Sequence, residues 1–234
     1  MGTADSMATP AGGRSGDTEP EELVKPRLRG VFHEVAFFGS LATGVSLIWA
    51  APTAGSKAIM AGYALAITSL FGVSALFHRH TWGPVGRRRM RRLDHSTIFI
   101  AIAGSYTAVA GIALTGWART TVLCVVWGGA AIGITLRQVW LDAPKWVIAL
   151  PYVVVGWAAL AVLPQLFHVL GVVGFILLLC GGVAYSTGAV VYAMKRPNPV
   201  PGVLGYHEVF HGFTIVGAVL HFIVIAFFVL PLAG

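Results

Sequence analysis

The chain has 234 residues, of which 56% are hydrophobic and only 11% charged, with a net charge of +7. Soluble domains carry about a quarter charged residues, so this composition excludes an ordinary soluble fold and points to the bilayer. The basic excess then reports membrane topology and calls for no nucleic-acid partner.

Residues 1–26 are rich in Gly, Ser, Thr, Pro and acids and hold no apolar run. They predict a disordered tail, not a secretory signal, ahead of a single membrane domain over residues 27–234. Seven apolar stretches follow: His33–Pro52, Lys57–Phe77, His95–Gly116, Thr120–Val139, Lys145–Leu163, Val169–Met194 and His207–Leu230. Each is near the ~20 residues that a helix needs to cross the hydrocarbon core, so the predicted fold is all-α, a seven-transmembrane helix bundle. His33 and Glu34 open the first stretch at the interface. Ser74 and His78 lie at the end of the second, and a basic loop with Arg87–Arg92 follows. Asp94 opens the third stretch, which is interrupted by Gly104, Ser105 and Tyr106. Cys124 and Cys180 fall inside apolar runs and are read as small buried hydrophobes; two cysteines make no disulfide framework. Trp49, Trp82, Trp117, Trp140 and Trp146 fall near segment ends, as an aromatic belt would, while Trp127 and Trp157 are read as packing residues. His207 and His211 open the seventh stretch. His221 lies off their face and is read as a helix-packing hydrogen bonder; His80 and His95 are read as solvated or bound to lipid head groups.

Fourteen of the 16 Lys and Arg residues fall on the side of the tail when the loops are assigned alternately. Only Lys57 and Arg119 fall opposite. The positive-inside rule then puts the N-terminus in the cytoplasm, and seven crossings put the C-terminus outside.

This topology brings five polar residues to one depth. Ser74 and His78 are four apart, as are His207 and His211, so each pair shares one helix face. Ionisable groups in a bilayer are functional by default, and five polar groups together need a common partner. Three imidazoles with one open position are a catalytic-type zinc set, so His78, His207 and His211 are the candidate ligands. Asp94 is the candidate proton acceptor or orienting group for a water at such a site, and Ser74 its hydrogen-bonding neighbour.

The motifs Ser74-Ala-Leu-Phe-His78, Arg92-Leu-Asp94-His-Ser-Thr, Ala103-Gly-Ser-Tyr106-Thr, Lys195-Arg-Pro-Asn-Pro199 and Gly205-Tyr-His207-Glu-Val-Phe-His211 together carry a resemblance. From about Pro26 to the end, the chain resembles bacterial hemolysin III proteins of the progestin and adipoQ receptor (PAQR) family. These fall in a broader group of seven-span metal-dependent hydrolases that includes alkaline ceramidases. The resemblance implies zinc on His78, His207 and His211, with Asp94 and Ser74 nearby, in a multi-pass protein of the plasma membrane that acts on membrane lipid. Where relatives often place a proline after the Tyr-Thr pair, this chain has Ala108, which bears on helix shape and not on the metal site.

His207-Glu-Val-Phe-His211 is also an HExxH string, the signature of metalloproteases in which the Glu is the general base. An intramembrane protease would be expected to add an Asp ligand from a later segment, and nothing acidic follows Glu208. Three functional expectations remain: a zinc-dependent hydrolase of a lipid amide or ester; a non-enzymatic membrane-homeostasis or receptor-like protein with structural zinc; and a pore-forming haemolytic protein.

Overall fold

The computed structural model describes residues 26–234, so the predicted tail lies almost wholly outside the described residues. Among these residues seven α-helices follow one another: α1 (Val31–Ala50), α2 (Ala54–Arg79), α3 (Pro84–Ala113), α4 (Gly116–Val139), α5 (Lys145–Gly156), α6 (Leu163–Met194) and α7 (Tyr206–Val224). A 3-10 turn, Ala158–Val162, joins α5 to α6, and α7 runs on through a π turn, Ile225–Val229, and a 3-10 turn, Leu230–Ala233. Each helix packs on its neighbour in the chain, and α7 closes the bundle against α1. The inner helix is α3, which touches α2, α4, α5 and α6; 56% of its apolar window is buried, against 22% for α1.

Close packing rests on small residues, as it must where lipid offers helices no hydrophobic drive to associate. Gly174, Gly181 and Gly188 recur every seventh residue on α6 and so share a face. A Cβ at each would lie 2.8 Å from the Phe228 ring, 2.3 Å from the His221 ring and 3.0 Å from the Phe213 Cβ, so side chains of α7 and of the π turn after it sit directly on α6 backbone. Gly217 on α7 receives Tyr185 of α6 in the same way. His221 donates from Nε2 to the Leu178 carbonyl at 3.2 Å, the helix-packing bond that its position predicted.

Gly104 interrupts the hydropathy of the third stretch but not its helix. A Cβ there would lie 2.5 Å from that of Ala66, so the glycine is where α3 crosses α2 most closely.

Helix bounds differ most from hydropathy bounds in two places. Helix α3 begins at Pro84, not at His95, so the whole Arg87–Arg92 cluster is helical. Hydropathy marks the apolar span, whereas proline at the first helical position and arginines, good helix formers, start the helix earlier. The predicted fifth span, Lys145–Leu163, is a 12-residue helix and then a 3-10 turn. Pro151 lies inside α5, and the break after Gly156 is stabilised from α3: the Tyr106 hydroxyl donates to the Gly156 carbonyl at 2.7 Å and accepts from the Ala159 N–H at 2.9 Å. Those bonds satisfy backbone groups that the break leaves open.

Six helical stretches among the described residues are long and apolar enough to cross a membrane, where hydropathy counts seven. The predicted sixth span and most of the fifth fall within one stretch, Ala149–Met194, of 46 residues. Unbroken, that length would rise about 69 Å, more than twice the ~30 Å hydrocarbon core. The stretch is broken at the 3-10 turn and again at Gly171, whose φ of 65° and ψ of 178° only glycine adopts without strain. Cys124 and Cys180 are exposed on the bundle surface, contrary to their predicted burial, and Trp127 is exposed with its indole N–H donating to Thr107. In a span, apolar surroundings come as readily from lipid as from protein, so hydropathy alone does not say which side a residue faces.

Candidate metal centre

The last turn of α2 and the first two turns of α7 meet at one end of the bundle. Helix spacing puts His207 and His211 on one face of α7, and that face meets His78. The Nε2 atoms of His207 and His78 lie 3.1 Å apart, and one nitrogen from each of His78, His207 and His211 falls within 4.8 Å of the others. His78 and His211 are buried. Two nitrogens bound to a tetrahedral ion at 2.0–2.1 Å would stand about 3.4 Å apart, so the His78–His207 pair is close to chelating distance. The donors fit a borderline metal ion: imidazole suits zinc, copper, iron and nickel, whereas hard cations prefer oxygen.

The segment before α1 positions His78. Gly30 has φ +83°, and a Cβ on it would lie 2.8 Å from the His78 Cβ. Only glycine lets the chain pass so close in that conformation. The same segment is tied to the loop before α7, where the Arg27 and Leu28 N–H groups donate to the carbonyls of Gly202 and Val203 at 3.1 and 3.2 Å.

Glu208 is buried and doubly engaged. Its Oε2 accepts from the Gly205 N–H at 2.8 Å, and its Oε1 pairs with Arg29 Nε at 2.5 Å. A carboxylate capping its own helix and neutralised by arginine is a poor general base, which removes the physical ground for the protease reading of HExxH. The partner that allows its burial, Arg29, lies far away in the chain.

Ser74 sits one turn before His78 on α2 and hydrogen-bonds Asp94 of α3; both side chains are buried. The Asp94 backbone is held as well, its carbonyl accepting from the Thr97 hydroxyl at 2.7 Å. Asp94, Ser74, His207 and His211 line one end of a cavity of about 180 Å³. Away from them the lining is mostly aliphatic, with Val109, Leu114, Val122 and Leu166 among it. Along α3 the lining runs from Asp94 to Ala110, a rise of about 24 Å, so the cavity is long and narrow.

Two histidines stand apart from their predicted places. His95 is not solvated: it is half-buried, lines the cavity, and has Nδ1 2.6 Å from the Arg91 carbonyl. His33, predicted at the interface, is 2% exposed and stacks on His211 with ring centroids 3.8 Å apart and planes 4° apart. Only the closure of α1 on α7 creates that contact, and no local spacing encodes it.

The sequence matches the family model described as Haemolysin-III related over residues 21–222. The chain is 30% identical to "Hemolysin-3" of Bacillus cereus over 182 residues, covering 78% of this chain and 80% of that protein. It is also 30% identical to "Hemolysin-3 homolog" of Bacillus subtilis (strain 168) over 136 residues, covering 58% of this chain and 61% of that protein.

Proposed function

The chain belongs to the haemolysin-III related family of integral membrane proteins, and on that premise we propose that it is a zinc-dependent hydrolase of a lipid amide or ester. His78, His207 and His211 hold the zinc: three imidazoles without thiolate are the donor set of a catalytic site with an open position. Bound there, zinc would supply Lewis-acid polarisation of a carbonyl and an activated water. The chain supplies the rest. Asp94, oriented by Ser74, takes a proton from water at the polar end of the cavity and returns it to the leaving amine or alcohol. The aliphatic lining takes the acyl chain.

The observation that carries this reading is the juxtaposition of three metal-competent imidazoles and a Ser74–Asp94 pair at the polar end of a long apolar cavity. Purified zinc-loaded protein in bilayers of whole-membrane lipid is expected to convert one acyl amide or ester to free fatty acid, followed by mass spectrometry against a chelated control. An unchanged lipid profile would end the hydrolase reading.

One observation favours a second, non-enzymatic reading as a membrane-homeostasis or receptor-like protein. The three histidines come from α2 and α7, so a metal there would join helices distant in the chain. That reading predicts metal-dependent stability with no change in any lipid. A pore ranks below both, since among the described residues the cavity beyond Tyr106 and His221 offers no polar path.

The membrane arrangement completes the proposal: a multi-pass plasma-membrane protein with seven crossings, the N-terminus in the cytoplasm and Gly234 outside. The fifth crossing is α5 with its 3-10 turn, and the sixth is α6 beyond Gly171. Support comes from the length of Ala149–Met194, its two breaks and the packing of α5 along α6. Reporter fusions to the two ends of the chain are expected on opposite sides; termini on the same side would refute the seventh crossing.

A further inference from the structure

Helix α3 outruns its neighbours at the end of the bundle that holds the three histidines. Gly104 lies on Ala66 and Gly111 on Ile59, so α2 and α3 run antiparallel in a register that puts Arg91 level with Arg79, the last residue of α2. Gly133 of α4 lies on Phe99, and equal steps from that contact put Val139, the last residue of α4, level with Leu93. The first turns of α3, from Pro84, carry the arginine cluster past both neighbours. Leu93 is 46% exposed and Val139 80%, so apolar outer surface reaches this height on both helices. The next residue outward is Arg92.

At about 100° per residue, Arg88, Arg92 and Arg89 fall within an arc of roughly 100° on α3, with Leu93 beside it. Arg92, Arg89 and Arg88 stand about 1.5, 6 and 7.5 Å outward of Leu93 along the helix. A bilayer is ~40–45 Å thick with its headgroups against ~30 Å for the hydrocarbon core, so each headgroup layer is about 5–8 Å deep. The three arginines span that depth. Arg88 and Arg89 are exposed, and Arg92 is half-buried with Nε unpartnered. None of the three makes an ion pair among the described residues, and every carboxylate there is engaged: Glu34 pairs with Arg79, Asp142 with Arg91 and Glu208 with Arg29, while Asp94 hydrogen-bonds Ser74. The positive-inside rule explains the side on which arginines lie, and cations scattered through a loop would satisfy it. It does not call for three unpaired guanidinium groups on one helix face at headgroup depth.

We propose that Arg88, Arg89 and Arg92 form a binding site for the phosphate of an anionic phospholipid. Guanidinium groups hold phosphate oxygens through paired N–H donors. Leu93 lies one turn inside Arg89 on the same side of the helix, where the acyl chains of a lipid so held begin. That continuity from guanidinium to apolar surface fits a lipid phosphate and offers nothing to a free anion. A zwitterionic headgroup brings its own cation to the cluster and is disfavoured. The site lies outside the cavity and is independent of the hydrolase reading; it rests on the membrane assignment alone.

The test measures binding of a fluorescent phosphatidylglycerol to the full-length protein in uncharged micelles, with a fluorescent phosphatidylcholine of equal chain length as the zwitterionic control. Wild type is expected to prefer phosphatidylglycerol by about 10-fold or more. The triple variant Arg88→Gln, Arg89→Gln, Arg92→Gln should bind it about 10- to 100-fold more weakly, at up to ~5-fold for each arginine, and bind phosphatidylcholine as wild type does. Lysine at the same three positions keeps the charge and should regain most of that loss. The spur stands outside the packed bundle, so the melting temperature without phosphatidylglycerol should match wild type. Should the triple variant fail to fold, Arg89→Gln alone is expected to weaken phosphatidylglycerol by about 5-fold. Equal binding of the two lipids by wild type would overturn the proposal, as would undiminished phosphatidylglycerol binding in the glutamine variants or no gain with lysine. Inorganic phosphate displacing the probe as well as unlabelled phosphatidylglycerol does would make this a free-anion site and overturn the lipid assignment. The acidic residues Asp17, Glu19, Glu21 and Glu22 are the other candidate partner. Phosphatidylglycerol binding that appears only once those four are changed to Asn and Gln would show that the chain itself covers this face, and the proposal would be wrong.

Discussion

Replacing His78, His207 or His211 with Ala is expected to lower zinc affinity by more than about 100-fold. Even residues that merely orient metal ligands are worth ~10–100-fold, and each of these substitutions removes a direct bond from a set of three. Metal analysis on protein purified without chelator should give about one zinc per chain for wild type and a small fraction of that for each variant. The melting temperature should follow, because an ion that binds only the folded state stabilises it by mass action. The three variants should behave alike, since His78 from α2 and the α7 pair face one another within 4.8 Å and, among the described residues, the cluster holds no fourth donor. Gly30→Ala offers an independent check on the same centre. It leaves every donor in place, but the new Cβ meets that of His78 at 2.8 Å, and φ +83° is strained for alanine. Zinc at wild-type level and affinity in His78→Ala would refute the centre.

Much of this site is legible in the sequence because its residues are out of character with their surroundings. Ser74, His78, Asp94, His207 and His211 are polar groups at the ends of apolar stretches, and the four-residue spacings put each pair on one face. The bundle is legible for the same reason, since a span announces itself by length and composition. What stays hidden depends on contacts between distant helices. His33 looks like any polar residue at a segment end until α1 packs on α7. Glu208 sits in an HExxH string, and only the fold shows Arg29, from the segment before α1, against it. The break in α5 is signalled locally by Pro151 and Gly156, but its stabilisation by Tyr106 belongs to α3. Cys124 and Cys180 mislead in a different way: hydropathy reports apolar surroundings, and lipid supplies them as well as a protein core does.

Asp94→Asn separates a catalyst from a staple. The substitution keeps an acceptor for Ser74 and nearly the same shape, so the helix contacts around it should survive. Zinc should be largely retained, because Asp94 is not one of the three converging groups. If the protein is a hydrolase, turnover of the lipid should fall by about 10²–10⁴-fold, the usual worth of a positioned acid or base, since an amide cannot take a proton from water and return it to the leaving group. Ser74→Ala should fall less, because it leaves the carboxylate in place and removes only the hydrogen bond that orients it. If the metal only joins α2 to α7, Asp94→Asn should lower the melting temperature in step with whatever zinc it loses and leave cellular lipids as they were. These patterns differ in two quantities measured on one preparation, bound zinc and free fatty acid released. A variant with full zinc, wild-type stability and undiminished lipid turnover would show that the proton is handled elsewhere, and the role given to Asp94 would be wrong.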